Sequence, residues 1–101
     1  MAEKIMEISD LVFYSQRDED NFFSWIQEIR GIIDVSGKGS SIYLRTEAEL
    51  SDSDLSEVIS IFQRYGIGMQ QLSAYLTDEN NKWFRNDEMY WFPSVFGEMR
   101  G

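Results

Sequence analysis

Apolar and polar positions divide the chain into segments of different period. Residues 5–14 read as a strand: Ile5 to Ile8 partly alternates, and Leu11-Val12-Phe13-Tyr14 is rich in β-prone side chains. The polar stretch Ser15 to Glu19 leads into a helix. There Phe22, Trp25, Ile26 and Ile29 follow the i, i+3, i+4, i+7 spacing of one helical face. Asp18, Glu19 and Asp20 lie in its first turn, where the helix dipole favours negative charge, and Gly31 is the expected end. From Ile32 to Thr46, Val35 on one side and Ile42, Tyr43 and Leu44 on the other flank Ser36-Gly37-Lys38-Gly39-Ser40. Two glycines between β-prone runs predict a hairpin with a short loop.

The second helix has stronger punctuation. Ser51 is a good N-cap, with Asp54 three residues later imitating a capping box. Leu55, Val58, Ile59, Phe62 and Tyr65 form one apolar stripe, and Gly66 stops it. A third helix is expected from near Gly68, with Leu72, Tyr75 and Leu76 inward. Thr77 or Asp78 can cap a further turn carrying Trp83 and Phe84. The aromatic tail Met89 to Gly97 reads either as a strand in its first residues or as a short apolar segment covering the core. The whole predicts an α+β fold: a small antiparallel sheet, made of the N-terminal strand plus the hairpin, packed on one face against about three to four helices. No repeat, low-complexity tract or linker divides residues 1–101, so a single domain is expected.

Composition supports a packed core, since 43% of residues are hydrophobic and 15% aromatic, unlike a disordered chain. The absence of cysteine removes disulfides and thiolate chemistry. The absence of histidine removes the usual general base and the commonest metal ligand, and with it a His-based triad and most zinc chemistry. A carboxylate-only or lysine-based enzyme stays open, but no other marker accompanies one. The expectation is a protein that is not an enzyme and uses no cofactor or metal. Residues 1–10 carry Glu3, Lys4 and Glu7 with no apolar core of a signal peptide, and no apolar run approaches membrane-span length. A cytoplasmic location is the expectation.

Charge changes the picture most. Eighteen acidic against nine basic residues give a net charge of −9. Such a field repels phosphate backbones and anionic lipid, so neither nucleic acid nor membrane is an expected partner, while cationic proteins are attracted. The plainer account is acidity for solubility alone. One acidic group is Glu47, Glu49, Asp52, Asp54 and Glu57, with no basic residue between Arg45 and Arg64. Its string DSDLSE resembles the start of a calcium loop but lacks the sixth-position glycine and the distal glutamate, and helix capping accounts for Asp52 and Asp54 without metal. A second group, Asp78-Glu79 and Asp87-Glu88, brackets Lys82, Trp83, Phe84 and Arg85. The aromatics read either as core or as anchors of a binding hot spot, with core preferred. SGKGS lacks the phosphate-loop spacing and reads as a turn. FQRYGIGMQQLSAYL is reminiscent of a helix-turn-helix, yet its second half offers Gln70, Gln71 and Ser73 where a DNA reader carries Arg or Lys, so an ordinary αα-corner is expected.

Four strings in this order, LVFYSQRDEDNFFSWI, DLSEVISIFQRYGIGMQQL, NNKWF and YWFPSVFG, resemble a family of immunity proteins from contact-dependent growth inhibition systems. They spread over roughly residues 11–97 and centre on Arg64-Tyr65-Gly66-Ile67 with Met69, Gln70 and Leu72, then Asn81-Lys82-Trp83-Phe84. None is a catalytic signature. The resemblance implies a protein without activity of its own. It would bind, 1:1, the cognate basic toxin domain at the C-terminus of an exoprotein, often an RNase that cleaves tRNA, and block its active site or RNA-binding surface. Carboxylates would then occupy phosphate positions, and the expected toxin-binding residues are Asp52, Asp54, Glu57, Asp78, Glu79, Asp87 and Glu88, with Tyr90 as aromatic anchor. Two other readings share some of these features. One is an acidic, antitoxin-like or nucleic-acid-mimicking adaptor for a different basic protein. The other is a small transcriptional regulator using the glycine-cornered helices, against which the missing basic stripe argues.

Overall fold

Strand alternation sets one apolar sheet face, and the helices cover it. The computed structural model describes residues 3–97. In chain order these form β1 (Glu3–Ser9), α1 (Gln16–Gln27), β2 (Ile32–Lys38), β3 (Ser41–Glu47), α2 (Asp52–Tyr65), a 3-10 helix (Gln70–Tyr75), α3 (Asn81–Phe84) and α4 (Phe92–Phe96). The sheet is antiparallel in the order β1-β3-β2, so the last strand in sequence lies in the middle. Met6 faces Leu44 across the β1–β3 ladder, and both are buried with Ile8 and Thr46. Their neighbours Ile5, Glu7 and Ser9 are exposed on the other face. The inner face joins Phe22 and Ile26 of α1 and Leu55, Val58, Ile59, Ile61 and Phe62 of α2 in one core. This is the expected α+β arrangement.

Element ends depart from expectation where a distant partner decides them. Strand β1 stops at Ser9, so Leu11 to Tyr14 are not strand. Its partner β3 begins at Ser41 opposite Ser9, and beyond that pair no ladder remains. Asp10 adopts a left-handed φ of 57° and gives its N–H to the Ser40 carbonyl (3.0 Å), turning the chain off the sheet. Phe13 instead packs on Phe22, Phe23 and Tyr65. Helix α1, capped by the Ser15 hydroxyl (3.1 Å from the Asp18 N–H), ends at Gln27 rather than at Gly31. Tighter bonds from the Glu28 and Ile29 amides back to Trp25 and Ile26 close its last turn. Gly31 serves a close approach: a Cβ there would collide with Leu50 and press on the Asp54 carboxylate. In the β2–β3 hairpin the loop is Gly39-Ser40 alone, with the left-handed φ confined to Gly39, the first loop position, as a type II′ turn requires.

Helix α2 runs from the Ser51 cap (3.1 Å to the Asp54 N–H) to Gly66, whose φ of 70° ends it. After Gly66 three residues lie outside any regular element, followed by six residues of 3-10 helix, shorter and later than the third helix expected from Gly68. Leu72 and Tyr75 are buried, while Leu76 is half-buried. Neither Thr77 nor Asp78 caps α3: Asn80 stands at its N-cap without a side-chain cap bond. Thr77 instead closes the preceding turn, its N–H going to Asn80 Oδ1 (2.8 Å) and its hydroxyl taking the Asn80 N–H (3.1 Å). In the tail, Met89 to Trp91 form turns rather than a strand. Trp91 and Val95 are buried, and the Trp91 indole donates to the Phe84 carbonyl (2.7 Å), so the segment covers the core.

Thr46 is polar and fully buried, and it is satisfied by its neighbours. Its hydroxyl lies 2.9 Å from the Glu47 carbonyl and 2.6 Å from the Tyr75 hydroxyl. Burial raises the Tyr75 phenol above the ordinary tyrosine value, and the Thr46 hydroxyl, able to turn its hydrogen towards a phenolate, offsets part of that. A raised folded value means that the unfolded chain loses the proton first. The contribution to stability is therefore complete below about pH 10 and declines as pH rises through the folded value. Urea unfolding between about pH 9 and 12 should show this decline, and a Tyr75→Phe variant should show a flatter one.

Candidate functional site

The eight residues expected at an interface fall into two groups along the chain, one on α2 and one flanking α3. Asp52 is exposed in the first turn of α2 without a side-chain bond. Asp54 is half-buried and committed to the fold, since its Oδ2 accepts the Gly31 N–H at 2.9 Å and ties the α1–β2 junction to α2. Glu57 is exposed but takes the Trp25 indole N–H at 2.7 Å. With Glu28 at the end of α1, Asp54 and Glu57 line a shallow cavity of about 350 Å3 that also holds Trp25, Ile29 and Ser53. Three carboxylates thus gather around one tryptophan, and Glu28 is the member absent from the expected set. Helix periodicity on α1 alone gives it no signal.

Asp78 and Glu79 lie exposed in the turn before α3, and Asp87 and Glu88 in the turn after it. No side-chain hydrogen bond or ion pair engages these four carboxylates among the described residues, and none of the four lines the cavity beside Trp25. Tyr90 is 56% exposed and stands edge-on to Trp91 with ring centres 5.1 Å apart, a pose open to an aromatic contact. Phe84 is fully buried and Trp83 is half-buried against Phe84 and Trp91, so this pair belongs to the core, the preferred reading of the two. Among the described residues no three His, Cys, Asp or Glu side chains gather as metal ligands, and no helix is long and apolar enough to cross a membrane.

The split between Asp52 and Asp54 has a measurable consequence. Asp54→Ala leaves the Gly31 N–H without its acceptor and should lower stability by about 1–3 kcal/mol. Asp52→Ala removes only a favourable charge near a helix start and should cost less than about 1 kcal/mol. Chemical denaturation of the two variants side by side checks this.

A larger depression, unforeseen from the sequence, lies beside β1. It encloses about 600 Å3 between the run Glu7 to Val12 with Tyr14 on one wall and Tyr65 to Gly68 with Gln71 on the other. Val12 is 61% and Tyr14 90% exposed, while Leu11 and Phe13 between and beside them pack inward. That alternation is what suggests a strand, and its outward half forms an apolar lip. Across the groove the Gln71 carboxamide donates from Nε2 to the Glu7 carbonyl (2.8 Å) and accepts the Glu7 N–H on Oε1 (3.0 Å).

No family model, curated protein or solved structure matches the chain. The case for a function therefore rests on these surfaces. One wall of the groove, Tyr65 to Gly68 with Gln71, lies within the string RYGIGMQQL, and of the other only Leu11, Val12 and Tyr14 lie within LVFYS, while Glu7 to Asp10 precede it. Among the described residues, Glu7 and Asp10 are the charged members of the groove's lining.

Proposed function

We propose that this protein is a non-catalytic immunity protein that binds the tRNA-cleaving RNase domain of a contact-dependent growth inhibition toxin and blocks its active site or RNA-binding surface. The observation that carries the reading is the state of the surface carboxylates. Among the described residues a single ion pair forms, Arg45 to Glu3 at 2.9 Å, and the remaining acids face solvent or polar groups of the chain. An RNA-cleaving domain holds its substrate through a cationic cleft, and unpaired carboxylates are the side chains that compete with phosphates for it. Asp52, Asp78, Glu79, Asp87 and Glu88 are free for that role, Glu57 can reach it from the rim of its cavity, and Tyr90 supplies an aromatic contact. Asp54 contributes through the fold and through the local negative field. The family resemblance supports the same reading, as does a chain without histidine or cysteine.

The test is a binding titration against the toxin domain encoded beside this chain, followed by a tRNA cleavage assay with and without it. Saturable 1:1 binding with loss of cleavage is the expected result. A toxin that cleaves equally well in excess of this protein would remove the proposal.

A further inference from the structure

We propose that the groove beside β1 receives an extended, positively charged segment of a partner protein, which joins the sheet as a fourth strand along the β1 edge. This rests on the reading of the chain as a binding protein, and it names how the partner is held. Among the described residues, the sheet order leaves one side of β1 without a neighbouring strand. The bonds from Gln71 show which peptide groups point that way. Both polar groups of Glu7 are directed into the groove, and because backbone direction alternates along a strand, those of Ile5 and Ser9 point to the same side.

Gln71 itself indicates the kind of ligand that fits. A carboxamide that gives one hydrogen bond to a carbonyl and takes one from the same residue's N–H stands where a residue of an added strand would stand. It blunts an edge that would otherwise invite pairing. Being a side chain, it can swing away while an incoming peptide replaces both bonds, an exchange of two hydrogen bonds for two. The groove continues past Ser9 to the apolar lip of Val12 and Tyr14, which offers purchase for alternate side chains of such a segment.

Charge selects the occupant. Glu7 and Asp10 line the groove and, among the described residues, no Lys or Arg does, so the added strand should carry cationic side chains. A second copy of this chain is disfavoured by the same charges. Two β1 edges paired antiparallel about Ile5 would set Glu3 of each against Glu7 of the other. Gly68 permits a clean block. It lies outside the left-handed region, and a Cβ placed on it meets nothing within 4 Å, so the fold accepts a side chain there while the groove does not.

The experiment is an NMR titration of the 15N-labelled protein with a hexapeptide alternating Lys and Val, and with a Glu-Val control. Shifts at the Glu7 and Ser9 amides and the Gln71 side-chain amide, with the Lys peptide only, are expected. Gly68→Trp, folded by its own spectrum, should weaken binding at least about tenfold. Absence of those shifts, or equal binding by Gly68→Trp, overturns the inference. So does a concentration-dependent dimer that Gly68→Trp abolishes, since the edge then serves a second copy. The toxin domain gives a separate arm: if it binds wild type and Gly68→Trp equally, immunity stands and the docking mode falls. If it binds neither, immunity falls and the peptide titration alone decides the groove.

Discussion

Truncation of Phe22 to alanine is expected to lower the free energy of unfolding by about 3–5 kcal/mol. The ring has no solvent exposure and meets three other aromatics, with centres 5.3 Å from Phe13, 5.1 Å from Phe23 and 5.0 Å from Tyr65. Two of these contacts are steeply tilted, the geometry that adds about 0.5–1.5 kcal/mol per pair beyond area burial. The cluster also joins the β1–α1 connection to the end of α2, so a cavity here loosens one wall of the groove as well as the core. A domain of this size has about 5–15 kcal/mol in total. The variant should therefore unfold at markedly lower urea with an unchanged slope. A loss under about 1 kcal/mol would mean that the ring is not packed as described.

Reversing Asp52, Asp78, Glu79 and Asp87 together to lysine is expected to slow capture of the RNase domain by about 10- to 1,000-fold at low ionic strength. The gap from wild type should close as salt rises towards about 1 M, where screening extends over only about 3 Å. All four are exposed, so Asp78, Glu79 and Asp87 should each change stability by no more than about 0.5 kcal/mol, while a lysine at Asp52, at the positive end of the α2 dipole, should cost about 0.5–2 kcal/mol. Asp54 is left out of the set because reversing it would break the bond to Gly31 and confuse misfolding with weaker docking. Stopped-flow association at two salt concentrations decides the matter. An unchanged rate would show that these carboxylates lie away from the docking surface.

Much of the fold is legible in the sequence because its signals are local. Helix α2 announces itself by the Ser51 cap, the stripe from Leu55 to Phe62 and the stop at Gly66, all within one segment. The hairpin is similarly written in Gly39 and its flanking β-prone residues. The end of β1 is not legible, because it depends on where β3 turns, more than thirty residues later (Ser9 pairs with Ser41). Residues Leu11 to Tyr14 have the alternation of a strand but find no strand to pair with. The candidate site suffers from the same limit. Asp52 and Asp54 look equivalent in sequence, and only the approach of Gly31 makes one of them structural. Gln71 looks like an idle polar residue of a helical corner, since its bonds cross 64 positions to Glu7. About half of the residues in the four strings of the resemblance are aromatic or aliphatic, yet Leu11, Val12, Tyr14, Tyr65 and Ile67 among them line an open groove.

The central place of β3 also orders events while the chain is being made. The first strand leaves the ribosome ahead of its ladder partner and stays unpaired until Ser41 to Glu47 emerge. At about 5–20 residues per second that is a wait on the order of seconds, whereas a hairpin such as β2–β3 closes in about 1–10 microseconds once its residues are free. Throughout the wait Met6 and Ile8 travel uncovered on the nascent chain, with Glu3, Glu7 and Asp10 beside them as charges that oppose sticking to neighbouring chains.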